Sequence, residues 1–373
     1  MGEVGVNRFY YNATIQNTET ARKNLQWRPA TFAEARVAPL LPETSNWRVG
    51  LARLTAFGAT GELPLWEAIL VPGSLTTTPY SFTLRSTYTT SAGAVLAARS
   101  SRAVVQWFPQ HVGDPDKYWT CSTYQHMCNV FNAALATASA DLNAQMNATT
   151  GTTLFTSPAP TLSWNGDVFT LTLDPLYVPG LVAGTSGANI ETRQLYQNSA
   201  CSGLFPFPFS ASYDVDGASA RGDDATVLLD VAKVTPVVTT AGVTTGAVVA
   251  QEWDATGAWS PYVALTLLAT SIPVAPEFVG TTSVTSGGDV NATIGGNSRL
   301  VLADIDLLGG SAHDYLTGIS YTPDLIQYTP MQRGRLTSMN FSCQLRRRDG
   351  TYDEWDVPSY GAIDIKLVFE YGA

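Results

Sequence analysis

The clearest regularity in the chain is an alternation of apolar and polar side chains at its C-terminal end. Apolar residues occupy every second position from Ile363 to Tyr371, and Asp364, Lys366 and Glu370 lie between them. Successive side chains of a strand point to opposite faces, so this period of two predicts a β-strand with one buried and one largely charged face. We expect it to be an interior strand of its sheet.

A second alternation, from Met339 to Leu345, runs into Arg346-Arg347-Arg348 and then Asp349-Gly350. Asp-Gly is a strong hairpin signal because Gly adopts the positive φ that tight turns need. Eight more strands are predicted from short apolar runs between Gly, Pro, Ser and Thr clusters: Phe9–Ile15, Trp47–Phe57, Tyr80–Leu84, Ala103–Phe108, Val168–Leu173, Val227–Val234, Tyr262–Leu268 and Leu300–Leu307. At least ten short strands favour an all-β sandwich.

One segment departs from the β pattern. Between Tyr118 and Met146, apolar residues recur at helical spacing. The residues that follow, up to Gly151, are typical of the C-terminal end of a helix. We therefore expect one substantial helix. The stretch from Thr235 to Val249, rich in Thr, Gly and Val, predicts an extended loop or a hairpin.

Composition then narrows the function classes. Only 14% of the 373 residues are charged, against about a quarter in typical soluble domains, which predicts a surface that is covered by neighbouring molecules or rich in neutral polar groups. A net charge of −10 argues against nucleic acid as the principal ligand. The longest apolar stretch, Tyr262 to Val274, is interrupted and too short for a membrane span, and the N-terminus shows no secretory signal.

The cysteines and histidines give little support to catalysis or metal binding. Cys121, Cys128, Cys201 and Cys343 are scattered, which favours reduced core residues and a cytoplasmic or nuclear site of assembly. Cys121, His126 and Cys128 are close in sequence, but no fourth ligand is identifiable. With three histidines and no nucleophile elbow or phosphate-binding loop, we expect neither enzymatic activity nor a cofactor.

Two groups of carboxylates are candidate ligand-binding or catalytic sites. Asp214-Val215-Asp216-Gly217 begins like a calcium-binding loop, but its glycine comes two positions early and Ala225 replaces the final glutamate, which favours a solvated turn. Asp304 and Asp306 share one strand face, where they would bind an ion or flank a glycosidic bond. An exposed polar face is the simpler interpretation.

A series of further motifs follows one another along nearly the whole chain. These are Phe9–Asn17, Leu54–Leu63, Pro79–Leu84, Val105–Gln110, Tyr124–Asn132, Pro160–Asn165, Leu204–Phe209, Trp253–Glu277, Ile319–Pro323 and the terminal hairpin. In this order they resemble the penton, or minor capsid, proteins of virophages and Polinton-like double-stranded DNA viruses. The region from Val178 to Val249 matches no part of that pattern.

The resemblance implies a jelly roll that forms homopentamers at the fivefold vertices of an icosahedral shell. We divide the chain into 1–177, the first part of the roll with the helix near 118–146; 178–249, a mainly β outward insertion; and 250–373, the second part of the roll. The implied partners are other copies of the chain, the double-jelly-roll major capsid protein of the same virus, other minor capsid proteins and a host receptor.

Two short motifs are candidate contacts. Arg221-Gly222-Asp223 resembles the integrin-binding tripeptide that some adenovirus penton bases display, and is the candidate receptor contact. Arg346, Arg347 and Arg348 are the candidate contact with an acidic partner or encapsidated DNA, although acidic residues follow them closely. Two other functions stay open: a β-sandwich carbohydrate-binding or receptor-binding viral surface protein, and a glycoside hydrolase that uses paired carboxylates.

Overall fold

A computed structural model of the chain describes residues 8–17, 28–57, 63–109, 119–121, 123–177, 190–210, 226–230, 235–238, 244–252, 259–269, 271–274, 277–279, 283–284, 290–291, 297–307, 313–314, 318–357 and 361–372. The chain divides into two compact units. The sandwich unit comprises Met1–Pro64 and Ser260–Ala373, and the inserted unit comprises Leu65–Trp259.

The elements follow one another in three blocks. The sandwich unit begins with β1 (Arg8–Gln16), β2 (Arg28–Pro29), β3 (Thr31–Ala35) and β4 (Trp47–Phe57). The inserted unit contains β5 (Trp66–Glu67), β6 (Thr77–Thr89), β7 (Val95–Arg99), β8 (Ala103–Gln106), β9 (Thr120–Cys121), α1 (Tyr124–Thr150), β10 (Thr161–Trp164), β11 (Phe169–Leu173), a 3-10 turn (Pro175–Tyr177), β12 (Ile190–Asn198), α2 (Ser199–Leu204), β13 (Phe209–Ser210), β14 (Thr226–Leu229), β15 (Thr235–Val238) and β16 (Thr244–Ala250). The sandwich unit resumes with β17 (Tyr262–Ala269), β18 (Glu277–Val279), β19 (Ser283–Val284), β20 (Val290–Asn291), β21 (Asn297–Arg299), β22 (Val301–Asp306), β23 (His313–Asp314), β24 (Gly318–Tyr321), β25 (Tyr328–Pro330), β26 (Ser338–Arg347), β27 (Tyr352–Glu354), β28 (Asp356–Val357) and β29 (Ala362–Tyr371).

Two antiparallel sheets form the sandwich unit. The first has the order β1-β29-β4-β24-β23, with β25 also paired to β4, and the second has the order β22-β17-β26-β27, with β3 also paired to β26. Strands from the two ends of the chain are thus neighbours in the first sheet, as in a jelly roll. Apolar side chains from both sheets form one core, which includes Leu54, Leu265, Leu267, Leu345 and Leu367. The predicted jelly roll is confirmed.

The C-terminal strand is an interior strand, as its alternation predicts. β29 pairs with β1 on one side and with β4 on the other. Its four inward side chains are at most 2% exposed: Ile363, Ile365, Leu367 and Phe369. Asp349-Gly350 also forms the predicted turn between β26 and β27, and Gly350 has a φ of 83°.

The expectation of a largely charged outer face on β29 is wrong at one end of the strand. Val368 and Glu370 point outward but are buried. Val368 pairs with Gly50 of β4, and an added Cβ at Gly50 would lie 2.6 Å from Ile326 Cγ2 and 2.7 Å from the Gln327 carbonyl oxygen. The segment around Ile326 therefore covers this part of the sheet.

The helix is confirmed in the inserted unit, with shifted ends. α1 begins after Thr123, whose side chain accepts a hydrogen bond from the backbone N–H of His126, and ends at Gly151, which has a φ of 66°. The cap explains why the helix starts later than the predicted Tyr118, which lies outside the described residues. Its buried face contains Met127, Val130, Phe131, Leu135 and Leu142.

The sheets of the inserted unit pack around this helix. One sheet has the order β13-β14-β12-β6-β7, with β8 also on β6, and another has the order β10-β11-β16-β15. β15 and β16 form the hairpin expected in the Thr-, Gly- and Val-rich stretch. Phe131 of α1 contacts the rings of Trp66, Tyr80 and Phe205, with centroid distances between 4.9 and 5.8 Å.

The two units divide the chain differently from the three sequence-based segments. β6, α1 and β11 belong to the inserted unit, whereas the sequence assigned them to the first part of the roll. Both units are rich in short alternating strands, so alternation marks no boundary between them. The limits of an outward-facing insertion stay a prediction.

Candidate assembly surfaces

Asparagine side chains of α1 hold the chain that follows the helix. Asn132 accepts a hydrogen bond from Leu162 N–H at 2.7 Å and donates one to the Leu162 carbonyl at 2.9 Å. Asn147 makes the same pair of bonds with Phe155, at 3.0 and 3.1 Å. Asn143 donates to the Ser157 carbonyl at 3.0 Å. Phe155 and Ser157 lie outside any strand, so the amides give them backbone hydrogen bonds that a ladder would otherwise supply.

A fully buried arginine links this helix to the neighbouring sheet. Arg193 of β12 is 0% exposed, and its Nε donates to Glu191 at 2.7 Å while its Nη2 donates to Asn143 at 2.7 Å. Ser86 of β6 donates to the same Glu191 oxygen at 2.8 Å. A buried arginine requires such partners, so this network fixes how α1 lies on β12 and β6.

A second charged group joins three neighbouring strands of the sandwich unit. Glu370 of β29 is buried between Arg8 of β1 and Arg48 of β4, each of which donates to it at 2.5 Å. The three residues are direct partners in the strand register. Hydrogen bonds from Arg8 and then Arg48 hold the pKa of Glu370 below its usual range.

The flank formed by β1 and β3 carries a smaller polar group. Tyr11 donates a hydrogen bond to Glu34, which also pairs with Arg36 at 3.0 Å. The Arg36 guanidinium lies 5.7 Å from the Tyr11 ring centroid. Burial, and then the bond to Glu34, raise the pKa of Tyr11 to about 12.

The predicted basic cluster is largely neutralised by its own chain. Arg346 pairs with Asp304 at 2.7 Å, and Arg347 pairs with Asp353 at 2.6 Å. Arg348 is exposed and donates to the Ser260 carbonyl at 2.8 Å. Because of these bonds, the three arginines offer a polyanion less net positive charge than the sequence indicates. The contact with an acidic partner or DNA stays a prediction.

The remaining candidate residues form no metal site in the part of the chain that the structure describes. Cys121, Cys128, Cys201 and Cys343 are buried and unpaired with one another, and burial raises the pKa of the Cys128 thiol to about 12. Cys121 lies on β9, so the helical spacing assumed for it was wrong. Among the described residues, no group of three or more His, Cys, Asp and Glu side chains suits a metal ion.

Two predicted motifs cannot be placed. Arg221-Gly222-Asp223 and Asp214-Val215-Asp216-Gly217 lie outside the described residues.

Asp304 and Asp306 do lie on β22, and Asp304 accepts hydrogen bonds from Thr266 and Arg346. These bonds account for Asp304 as a structural residue.

Sequence patterns did not identify Arg193, Glu370 or the asparagines of α1 as structural residues. The asparagines had a detectable signal, because spacings of eleven and four residues keep Asn132, Asn143 and Asn147 on one side of a helix. Glu370 had no such signal in the sequence, since its partners are 322 and 362 residues away.

No helix in the described part of the chain is long and apolar enough to cross a bilayer.

Comparisons with known proteins agree with this architecture. The family model described as Sputnik minor capsid protein V18/19 matches residues 9–371. A chain in the cryo-EM structure of the Sputnik virophage is similar, with a TM-score of 0.67, 16% identity and 98% of each chain covered. The mavirus penton protein has a TM-score of 0.57 and 15% identity, over 98% of this chain and 99% of that one. A search of curated proteins finds no match.

The two structural likenesses confirm the fold, and the family match extends over almost the whole chain. That match covers β1 at one end and β29 at the other, so it includes both units. The chain therefore belongs to the Sputnik minor capsid protein V18/19 family, and it is a structural protein of a virus capsid.

Proposed function

We propose that the chain forms homopentamers at the fivefold vertices of an icosahedral shell. One observation carries this proposal: the family match spans a jelly roll together with its large insertion between β4 and β17. The structural match to a protein named as a penton supports the same assignment. A structural role without enzymatic activity agrees with the internal pairing of Asp304 and of the arginine cluster.

In such a vertex, the chain contacts its own copies and the major capsid protein of the same virus. Other minor capsid proteins are further candidate neighbours. Assembly in the host cytoplasm or nucleus fits four cysteines that are buried as thiols. Residues 178–249, which belong to the inserted unit, are the segment that we assign to the outward-facing part of the vertex.

Imaging of the purified protein tests the proposal. Negative-stain micrographs should show five-membered rings, and native mass spectrometry should show a species five times the 39.9 kDa chain mass. A strict monomer at high concentration, together with no ring contacts in assembled particles, would contradict the proposal. Glycan-array binding by such a monomer would favour the carbohydrate-binding alternative instead.

The Arg221-Gly222-Asp223 tripeptide extends the proposal to a host receptor. Cell binding by the purified protein should fall for an Asp223→Glu variant, which keeps the charge but changes the side-chain length. Competition with a soluble Arg-Gly-Asp peptide should produce the same loss. Unchanged binding in both experiments would reject the receptor role and leave the capsid role intact.

A further inference from the structure

Two strand edges of the sandwich unit that have no partner among the described residues belong to one flank. β1 is the terminal strand of the first sheet, and β3 pairs with β26 on one side only. Tyr11 of β1 packs edge-on against Phe32 of β3, with 6.2 Å between ring centroids. We call the surface formed by Arg8–Gln16 and Thr31–Arg36 the β1–β3 flank.

The register shows which backbone groups face the open edge of β1. Asn17 N–H donates to the Gly361 carbonyl at 3.2 Å, in register with the ladder between β1 and β29. Bonded and unbonded pairs alternate in an antiparallel ladder, so the odd-numbered residues bond to β29. The N–H and C=O groups of the even-numbered residues point away from it: Tyr10, Asn12, Thr14 and Gln16.

The same argument applies to β3. Arg36 N–H donates to the Thr337 carbonyl, and Cys343 N–H donates to the Ala30 carbonyl, each at 2.9 Å. Even-numbered residues therefore bond to β26, and the backbone groups of Thr31, Ala33 and Ala35 face outward. Within the described part of the chain, these outward backbone groups of β1 and β3 have no hydrogen-bond partner.

Among the described residues, β1 has few of the devices that normally protect such an edge, and Arg8 is its only charged residue. Its register with β29 runs through nine residues without a bulge, and its sequence contains no proline or lysine. The residues whose backbone groups face the open edge, Tyr10, Asn12, Thr14 and Gln16, have neutral side chains, and Tyr10 is 49% exposed. A long unprotected edge promotes pairing with another chain, so proteins that work as monomers avoid it. The edge is therefore expected to be covered in the working state.

The opposite flank has a different character. There the first sheet ends in the two-residue strand β23, and the second ends in β22, which exposes Asp304 and Asp306. On the β1–β3 flank, the Arg8 and Arg36 side chains remain 42% and 39% exposed beside their internal partners. The β1–β3 flank thus presents open backbone and the guanidinium of Arg8, whose partner Glu370 is 5% exposed, whereas the β22 flank presents Asp306 and the Asp304 carboxylate that pairs with Arg346.

We infer that the β1–β3 flank binds the β22 flank of a second copy of this chain. Main-chain hydrogen bonds to the open edges supply the contact, and the exposed guanidinium of Arg8 faces the acidic β22 flank of the neighbour. A contact between unlike flanks repeats from copy to copy and closes a ring. The inference rests on the proposed ring and identifies the surface that builds it.

A proline substitution at an edge-facing position tests the inference. Asn12→Pro removes an outward N–H but no hydrogen bond to β29. The substitution should raise by at least tenfold the protein concentration at which half of the rings have dissociated, as measured by sedimentation velocity. The thermal midpoint of the monomer should stay unchanged. Asn12→Ala keeps the N–H and should behave as wild type.

A second pair of variants distinguishes weakened ring assembly from a folding defect. Asn12→Lys places a charge at the edge and should also weaken the ring. Thr55→Lys places the same charge on the outer face of the interior strand β4 and should not. Residue-resolved amide exchange of the wild type should show protection of Asn12, Thr14 and Ala33 in the ring and fast exchange in the monomer.

The outcomes separate this inference from the proposed function. A wild type that stays monomeric overturns both the ring and the docking flank. Wild-type rings that Asn12→Pro and Asn12→Lys leave intact, with the same exchange rates at the edge as in the monomer, overturn the docking flank alone. Loss of the ring in Asn12→Ala as well would assign the contact to the side chain, and would also overturn the main-chain contact.

Discussion

The sandwich unit and the inserted unit are both mainly β, but they are held together by different means. In the sandwich unit, the strands of two sheets bury one continuous apolar core. In the inserted unit, a helix and its asparagines hold irregular segments, and a buried arginine joins the helix to a sheet. The sandwich unit carries fourteen basic and seventeen acidic residues, and the inserted unit carries seven and fourteen. The inserted unit is thus the less charged and the more negative of the two.

This difference separates two ways of specifying structure. Alternating apolar residues specify a sandwich because one face of each strand is buried. Many different polar residues are therefore tolerated on the outer face. Side-chain bonds to the backbone specify a segment through a few residues that must all be present. We therefore expect the sandwich unit to depend on whole strands, and the inserted unit on single polar residues.

The largest effect should follow removal of β29. A chain truncated after Gly361 loses the strand between β1 and β4 and four side chains that are at most 2% exposed. Each such loss costs about 2–5 kcal/mol, and a whole domain is stable by only about 5–15 kcal/mol. Calorimetry should show loss of the sandwich transition and retention of the transition of the inserted unit. A truncated chain that keeps both transitions would contradict an interior role for β29.

The next largest effect is expected at Arg193. Arg193→Ala leaves Glu191 without its buried partner and removes the bond to Asn143, which should cost about 3–5 kcal/mol in the free energy of unfolding of the inserted unit. Arg53→Ala, at an exposed position of β4, is the control and should change stability by about 0.5 kcal/mol or less. Equal effects of the two substitutions in denaturant titrations would rule out this network.

The sequence predicted the elements that depend on periodicity. β4 and β29 follow from period two, α1 from helical spacing, and the turn at Gly350 from the Asp-Gly pair. The boundary between the units was not predictable, because β6 and β11 alternate as clearly as the strands of the roll. The charged group at Glu370 was also not predictable, because distant strands bring Arg8 and Arg48 beside it.

A smaller effect in the inserted unit concerns Asn147. Asn147→Ala removes both hydrogen bonds to Phe155 and leaves a partly buried backbone pair unsatisfied, which should cost about 1–3 kcal/mol. Asn129→Ala is the matched control, because Asn129 lies on the exposed face of the same helix and bonds only to Gln125 among the described side chains. Chemical unfolding of both variants measures the difference. A cost at Asn129 as large as at Asn147 would assign the effect to helix propensity instead of the bond to the loop.

The smallest effect is a dependence on pH that belongs to the sandwich unit. Because Arg8 and Arg48 lower the folded pKa of Glu370, its stabilisation is fully present above the ordinary value of 4.5 and is lost as the pH falls through the folded pKa. Arg48→Gln should therefore lower stability at neutral pH and flatten the decline of the unfolding free energy below about pH 4.5. Arg53→Gln removes another exposed arginine from β4 and should leave that decline unchanged. Denaturant titrations between pH 7 and 3 measure both slopes, and identical slopes for the two variants would show that the Glu370 group does not contribute to acid stability.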